Sequence, residues 1–132
     1  MAEHEVTRRL TAPRDTVFAV VSDRSRLAEW LPQLPDVTTD GDTVNVVLEG
    51  QPREVLYNAE GDQMRAEWSL AGGGGYAGWL QLFDISESEC DATVHFTLID
   101  DRGGDYGLGR HADGALNEAL TRLQSLLPGQ NS

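Results

Sequence analysis

Three histidines, a single cysteine and no lysine bound the chemistry open to this chain. His4 lies near a terminus expected to fray, His95 in an alternating segment and His111 near the start of a long helical pattern. With Cys90 they are too dispersed to make a metal site unless distant residues converge, and neither HExxH nor a CxxC pair is present, so no metal and no cofactor is expected. Without lysine there is no Schiff-base or lysine-nucleophile route. The serines at Ser22–Ser25 and Ser86–Ser88 read as caps and turns and lack a GxSxG setting. Tyr57, Asp84 and His111 are the candidates for acid–base work, but they form no matched pair, and the catalytic residues stay unassigned. His111 stands three residues after Leu108 and four before Ala115, at the edge of an apolar stripe. Two placements are open for it: turned inward, where it could bond a ligand carbonyl and titrate near neutral pH, or on the surface. His95 alternates with Val94 and Phe96 and should face solvent, and Arg110 either steers an anion or is simply solvated. The run Gly72–Gly75 has no lysine after it and joins two strand patterns, which favours a hairpin loop over a phosphate cradle.

Composition narrows the function classes further. Twenty-two acidic residues face ten basic ones, all arginine, for a formal net charge of −12. Such a surface is repelled by phosphate backbones, so a nucleic-acid partner is not expected. At 132 residues the chain fits one domain, 1–132, with a core that needs neither disulfide nor metal. A lone cysteine excludes an internal disulfide and fits a reducing compartment, with Cys90 acting as a small hydrophobe on a strand. The start MAEHEVTRRL has no apolar core of a signal peptide, and no run is long enough to span a membrane. A cytoplasmic protein without integral membrane association, monomeric or homodimeric, is the expectation.

The elements that must position these groups follow from hydrophobic spacing. Glu5 to Leu10 alternates as a first strand. Pro13 suits the first turn of a helix carrying Val17, Val20 and Val21 on one face, and Asp23 can cap a second short helix with Leu27, Trp30 and Leu31, ended by Pro32 and Pro35. From Val37 to Asp100 the period becomes two, with about six strands separated by turns at Gly50-Gln51-Pro52, Gly61-Asp62, Gly72–Gly75 and Glu87–Glu89. Met64, Ala66, Trp68 and Leu70 make the cleanest buried face. In the segment 76–86, Trp79 and Phe83 share one parity and Tyr76, Leu80 and Leu82 the other, so its facing is open. Leu108, Ala112, Leu116, Ala119, Leu123 and Leu127 then trace the stripe of a long last helix stopped at Pro128-Gly129.

The Ala-Pro-x-x-x-Val-Phe spacing from Ala12, the Ser22-Asp23 pair leading to Trp30-Leu31-Pro32, and this element order over the whole chain resemble the START-like, or SRPBCC, superfamily of helix-grip domains. That superfamily includes polyketide cyclases, lipid-transfer and hormone-binding proteins. The resemblance implies an α+β fold: a curved antiparallel sheet of about seven strands wrapped around a long C-terminal helix, with two short helices after the first strand. It also implies a cavity between sheet and helix. In ligand-binding relatives such as the plant abscisic-acid receptors, a glycine-x-proline gate stands where Gly50-Gln51-Pro52 stands here, and two further loops flank the same opening. Their counterparts would be Gly72–Gly75, with Gly73 and Gly74, and 101–109, with Tyr106. Tight-turn glycine is the alternative account of all three.

The resulting ligand set is Trp30, Tyr57, Met64, Trp68, Trp79, Phe83 and His111. The function expected first is binding or carrying a small hydrophobic or aromatic molecule without catalysis. A polyketide aromatase/cyclase and a protein-interaction module of the same fold are the alternatives.

Overall fold

The alternating segments pair into one antiparallel sheet of seven strands in the order β1-β7-β6-β5-β4-β3-β2. In this computed structural model the residues described are 2–31, 37–40, 43–48, 50–72, 76–98 and 109–127. The strands are β1 (Ala2–Leu10), β2 (Val37–Asp40), β3 (Thr43–Leu48), β4 (Gln51–Glu60), β5 (Arg65–Leu70), β6 (Tyr76–Asp84) and β7 (Cys90–Leu98). The helices are α1 (Arg14–Val21), α2 (Leu27–Trp30), entered through a 3₁₀ turn at Arg24–Arg26, and α3 (Gly109–Ser125). The sheet curls around α3, with the two short helices between β1 and β2 in the chain, which is the helix-grip arrangement. No helix among the described residues is long and apolar enough to cross a membrane.

Burial follows the period of each element. Val17, Val20 and Val21 turn inward from α1, as do Ala112, Leu116, Ala119, Leu120 and Leu123 from α3. These meet the inner sheet face, made by Val44, Val46, Val55, Ala66, Leu80, Leu82, Val94 and Phe96. Arg8 reaches from β1 to Thr121 and Asn117 of α3, and the Gln124 side chain bonds Thr11, so the last helix is tied to the first strand by polar contacts at its rim.

Several boundaries differ from the sequence expectation. β1 starts at Ala2 rather than Glu5, because its whole length finds partners from Ala2↔Leu98 to Leu10↔Cys90. His4 is therefore in a paired strand and not in a frayed end. Pro13 caps α1 from just outside, its carbonyl accepting the Val17 amide at 3.2 Å. The turn expected over Gly50-Gln51-Pro52 is narrower: Leu48 pairs with Gln51 and Val47 with Pro52, leaving Gly50 at φ 78°, a conformation glycine adopts at no steric cost. Pro52 is accommodated in β4 because β5 pairs with that strand only from Val55 onward. Met64, expected in a strand, sits in the β4–β5 turn at φ 50°.

Antiparallel connectivity decides which turns share an end. β3, β5 and β7 run in the same direction, so the β3–β4 turn, the β5–β6 turn and the C-terminal end of β7 lie at the same end of the strands. Gly50 and Gly72, at φ 78° and 82°, mark two of these turns. Gly73, Gly74, Tyr106 and the expected helix stop at Pro128 fall outside the described residues.

Candidate functional site

One row across the inner sheet face collects the aromatic side chains. Tyr57 of β4 pairs with Trp68 of β5, Trp68 with Gly78 of β6, Gly78 with Phe96 of β7, and Phe96 with His4 of β1. Gly78 is the gap in this row, and the Trp68 indole lies over it: a Cβ there would stand 2.5 Å from Cε2 and 2.6 Å from Cζ2 of that ring. Trp30, the last residue of α2, meets Trp68 edge-on, with centroids 6.0 Å apart at 82°. Tyr57 stacks on Trp68 from along the sheet at 6.1 Å and 19°. Tyr76, at the start of β6, belongs to the neighbouring row, nearer the end of the sheet where β6 begins and β7 stops. These four rings are almost wholly buried, Tyr57 most exposed at 8% and Trp30 at 0%.

Their polar atoms are not equally served. The Tyr57 hydroxyl donates to the Val21 carbonyl at 2.7 Å, pinning β4 to the end of α1. The Trp68 indole N–H donates to the Tyr76 hydroxyl at 3.1 Å. The Trp30 indole nitrogen is buried and has no hydrogen-bond partner among the described residues. Burial pushes both phenols well above their ordinary range, the Trp68 bond opposing this slightly at Tyr76. At neutral pH both therefore stay protonated and cannot take a ligand's proton; the Tyr57 proton is already given to Val21, and the Tyr76 proton is the one that can be donated to a ligand.

Cys90 opens β7, fully buried, and its thiol is pushed up to about 11, first by burial and then by the Asp91 and Asp84 carboxylates. The sign of the resulting pH dependence is fixed. The folded state holds the Cys90, Tyr57 and Tyr76 protons to higher pH than the unfolded chain does, so their contribution is complete below about pH 9 and is lost as pH rises. Stability measured by urea unfolding should fall by about 2 kcal/mol or more between pH 9 and 11. Cys90→Ala should remove the early part of that fall and leave the later, tyrosine part. A flat profile would contradict the burial of these groups.

The opposite face of the sheet settles the facing of β6. Tyr76, Gly78, Leu80 and Leu82 are buried, whereas Trp79 is half-buried and Phe83 is 50% exposed on the outer face. Trp79 and Phe83 therefore leave the set expected to line the interior: the buried parity of β6 is the one carrying Tyr76, and the sheet backbone separates them from it. Trp79 stacks on His95 of the adjoining strand at 5.1 Å and 6°, and the Arg65 guanidinium lies 4.5 Å from its ring centroid. His95 does face outward, but it is packed: its Nδ1 is 3.5 Å from a Glu5 carboxylate oxygen and its Nε2 is 3.9 Å from one of Glu3. An outer groove of about 480 Å³ is lined by Leu56, Asn58, Glu67, Ser69, Trp79 and Thr97 among others.

Among the acid–base candidates, Tyr57 and Asp84 are not brought together. Asp84 is exposed at the end of β6, on a separate groove with Pro13, Arg14, Asp15, Ser86 and Glu87. The His111 and Arg110 side chains lie outside the described residues, although both positions belong to α3. Met64 packs against the core from its turn. No group of three or more His, Cys, Asp or Glu among the described residues could hold a metal. Tyr76 and Gly78 are the site residues that sequence reasoning passed over. A glycine inside a strand pattern was the available signal for Gly78, since it marks a close approach.

A family model described as polyketide cyclase / dehydrase and lipid transport matches residues 1–127. The chain belongs to this family. No curated protein matches it in sequence. Among solved structures, a START superfamily protein from Mycobacterium smegmatis superposes with a TM-score of 0.65 at 15% identity, covering 95% of this chain and 96% of that one. Norcoclaurine synthase from Thalictrum flavum, in complex with dopamine and hydroxybenzaldehyde, gives 0.63 at 14% identity, with 98% and 88% covered. The di-domain ARO/CYC protein BexL of the BE-7585A biosynthetic pathway gives 0.66 at 17% identity over 94% of this chain and 45% of that one. At such identities these likenesses speak for the fold; this polyketide cyclase/dehydrase family member shares its architecture with them.

Proposed function

We infer that this family member binds a small aromatic or otherwise apolar molecule between the inner sheet face and the helices, toward the end of the sheet where β3 and β5 stop and β4 and β6 begin. The observation that carries it is the cluster of Trp30, Tyr57, Trp68 and Tyr76: four large rings on one side of the core, each with a polar atom turned inward. An apolar enclosure with a few placed polar groups is the general form of a small-molecule site. The structure of norcoclaurine synthase in complex with dopamine and hydroxybenzaldehyde, a neighbour in fold, supports this reading. Trp30, Tyr57 and Trp68 would form the walls, Gly50 and Pro52 one lip of the entrance, and His111 a position near the opposite lip on α3.

The likeness to BexL and the cyclase members of the family support a second reading, in which the same enclosure folds a reactive chain for cyclisation. Protonated Tyr76 could then polarise a carbonyl, while Tyr57 is already committed to Val21.

Native mass spectrometry of the purified chain mixed with two- and three-ring aromatics tests the binding reading. One-to-one adducts that disappear in Trp68→Ala are expected. The mass of the free chain alone throughout the series would end it.

A further inference from the structure

The hydrogen-bond accounts of the four rings do not balance, and the surplus has one sign. Tyr57 spends its proton on Val21 and Trp68 spends its N–H on Tyr76. Trp30 is fully buried and its N–H reaches no partner among the described residues. The Tyr76 hydroxyl accepts from Trp68, but its own proton has no acceptor among the described residues. Both residues contact the same indole: the Trp30 ring meets Trp68 at 82° with centroids 6.0 Å apart, and the Tyr76 oxygen is bonded to the Trp68 nitrogen.

Buried donors are paired in nearly all native interiors, because burial without a partner forfeits the hydrogen bond made in water. Two donors left over in one aromatic cluster therefore define the missing group as an acceptor. Apart from the rings themselves and Thr93, the buried side chains of the described residues are apolar and none is a cation; His4 of β1, 17% exposed, carries a buried Nε2 with no partner among the described residues. A carboxylate or phosphate brought here would lose hydration with no charge to replace it. A neutral oxygen fits.

We propose that Trp30 Nε1–H and Tyr76 Oη–H are the specificity-determining donors of the interior site, and that they select apolar ligands carrying a neutral carbonyl-type oxygen. This rests on the binding function inferred above and adds the ligand class to it. The apolar body is held by Trp68 and Tyr57, and the oxygen is oriented by the two donors beside the Trp68 edge. A ligand of the same shape without the oxygen leaves both donors unspent, and it binds more weakly although it is the more hydrophobic of the two.

The test uses 2-acetylnaphthalene and its near-isostere 2-isopropenylnaphthalene, in which a methylene replaces the carbonyl oxygen. Affinities are followed by quenching of tryptophan fluorescence, and the indole N–H protons by NMR. The wild-type chain should bind the ketone about tenfold more tightly than the alkene. Tyr76→Phe should shrink that ratio severalfold while leaving the alkene's affinity as it was. In the wild type the Trp30 indole proton should move downfield with the ketone and not with the alkene, which keeps the test independent of how well the variant folds. Equal affinities, or a ratio that survives Tyr76→Phe, would overturn the assignment of these donors and leave small-molecule binding standing. Failure of both compounds to bind would take down the two together.

Discussion

Gly78→Ala should lower stability by about 1–3 kcal/mol, although the same change in an unconstrained strand is mildly stabilising. The reason is steric and local. The Trp68 indole occupies the space a Cβ would need, at 2.5 Å from Cε2 and 2.6 Å from Nε1, and the new methyl can be admitted only if the ring swings away from Tyr76. Trp68→Ala alone should cost about 3–5 kcal/mol, since it removes a buried ring in contact with Trp30 and Tyr57. In the Trp68→Ala background Gly78→Ala should become neutral or slightly favourable, because nothing remains for the methyl to strike. Urea unfolding of the four proteins of this double-mutant cycle measures the coupling directly. Equal penalties for Gly78→Ala in both backgrounds would show that the close approach has no energetic weight.

Trp30→Ala is the second large effect, and its size relative to Trp68→Ala is the informative part. Both rings are buried, at 0% and 2% exposure. Equal burial argues for equal loss, about 3–5 kcal/mol each. The two differ in their nitrogens: Trp68 is hydrogen-bonded, and Trp30 has no partner among the described residues. An unpartnered buried donor already costs the native state about 1–3 kcal/mol, and removing the ring removes that cost with it. Trp30→Ala should thus be the milder substitution in the ligand-free protein. Addition of 2-acetylnaphthalene should widen the gap between wild type and Trp30→Ala, because ligand that binds only the native state adds to its stability. A Trp30→Ala loss larger than that of Trp68→Ala would mean the Trp30 nitrogen is satisfied within the folded chain.

Much of the architecture was legible because hydrophobic period and strand pairing are coupled. Val44 and Val46, then Ala66, Trp68 and Leu70, alternate in sequence and lie on one face in the fold, since a strand has no other way to bury them. Val17, Val20 and Val21 were likewise enough to orient α1. β6 was different. Its two parities carry comparable aromatic and aliphatic residues, Tyr76 with Leu80 and Leu82 against Trp79 with Phe83, so burial preference alone did not choose between them. The register did: Gly78 pairs with Trp68 and Phe96, which places the whole parity of Tyr76 inside. Trp79 finds shelter outside instead, between cross-strand neighbours from other turns of the sequence.

The same division runs through the candidate site. By itself the sequence determined the helix-grip family, the positions of the inner-face residues Tyr57 and Trp68, and the junction at Trp30, because these follow from local period and short spacings along the chain. Only the tertiary structure decided that Tyr57 spends its hydroxyl on Val21, that Trp68 spends its N–H on Tyr76, and that Trp30 keeps its own unspent. Those pairings join residues from different elements, and a hydrogen bond is settled by distance and direction in space, which no spacing along the chain encodes.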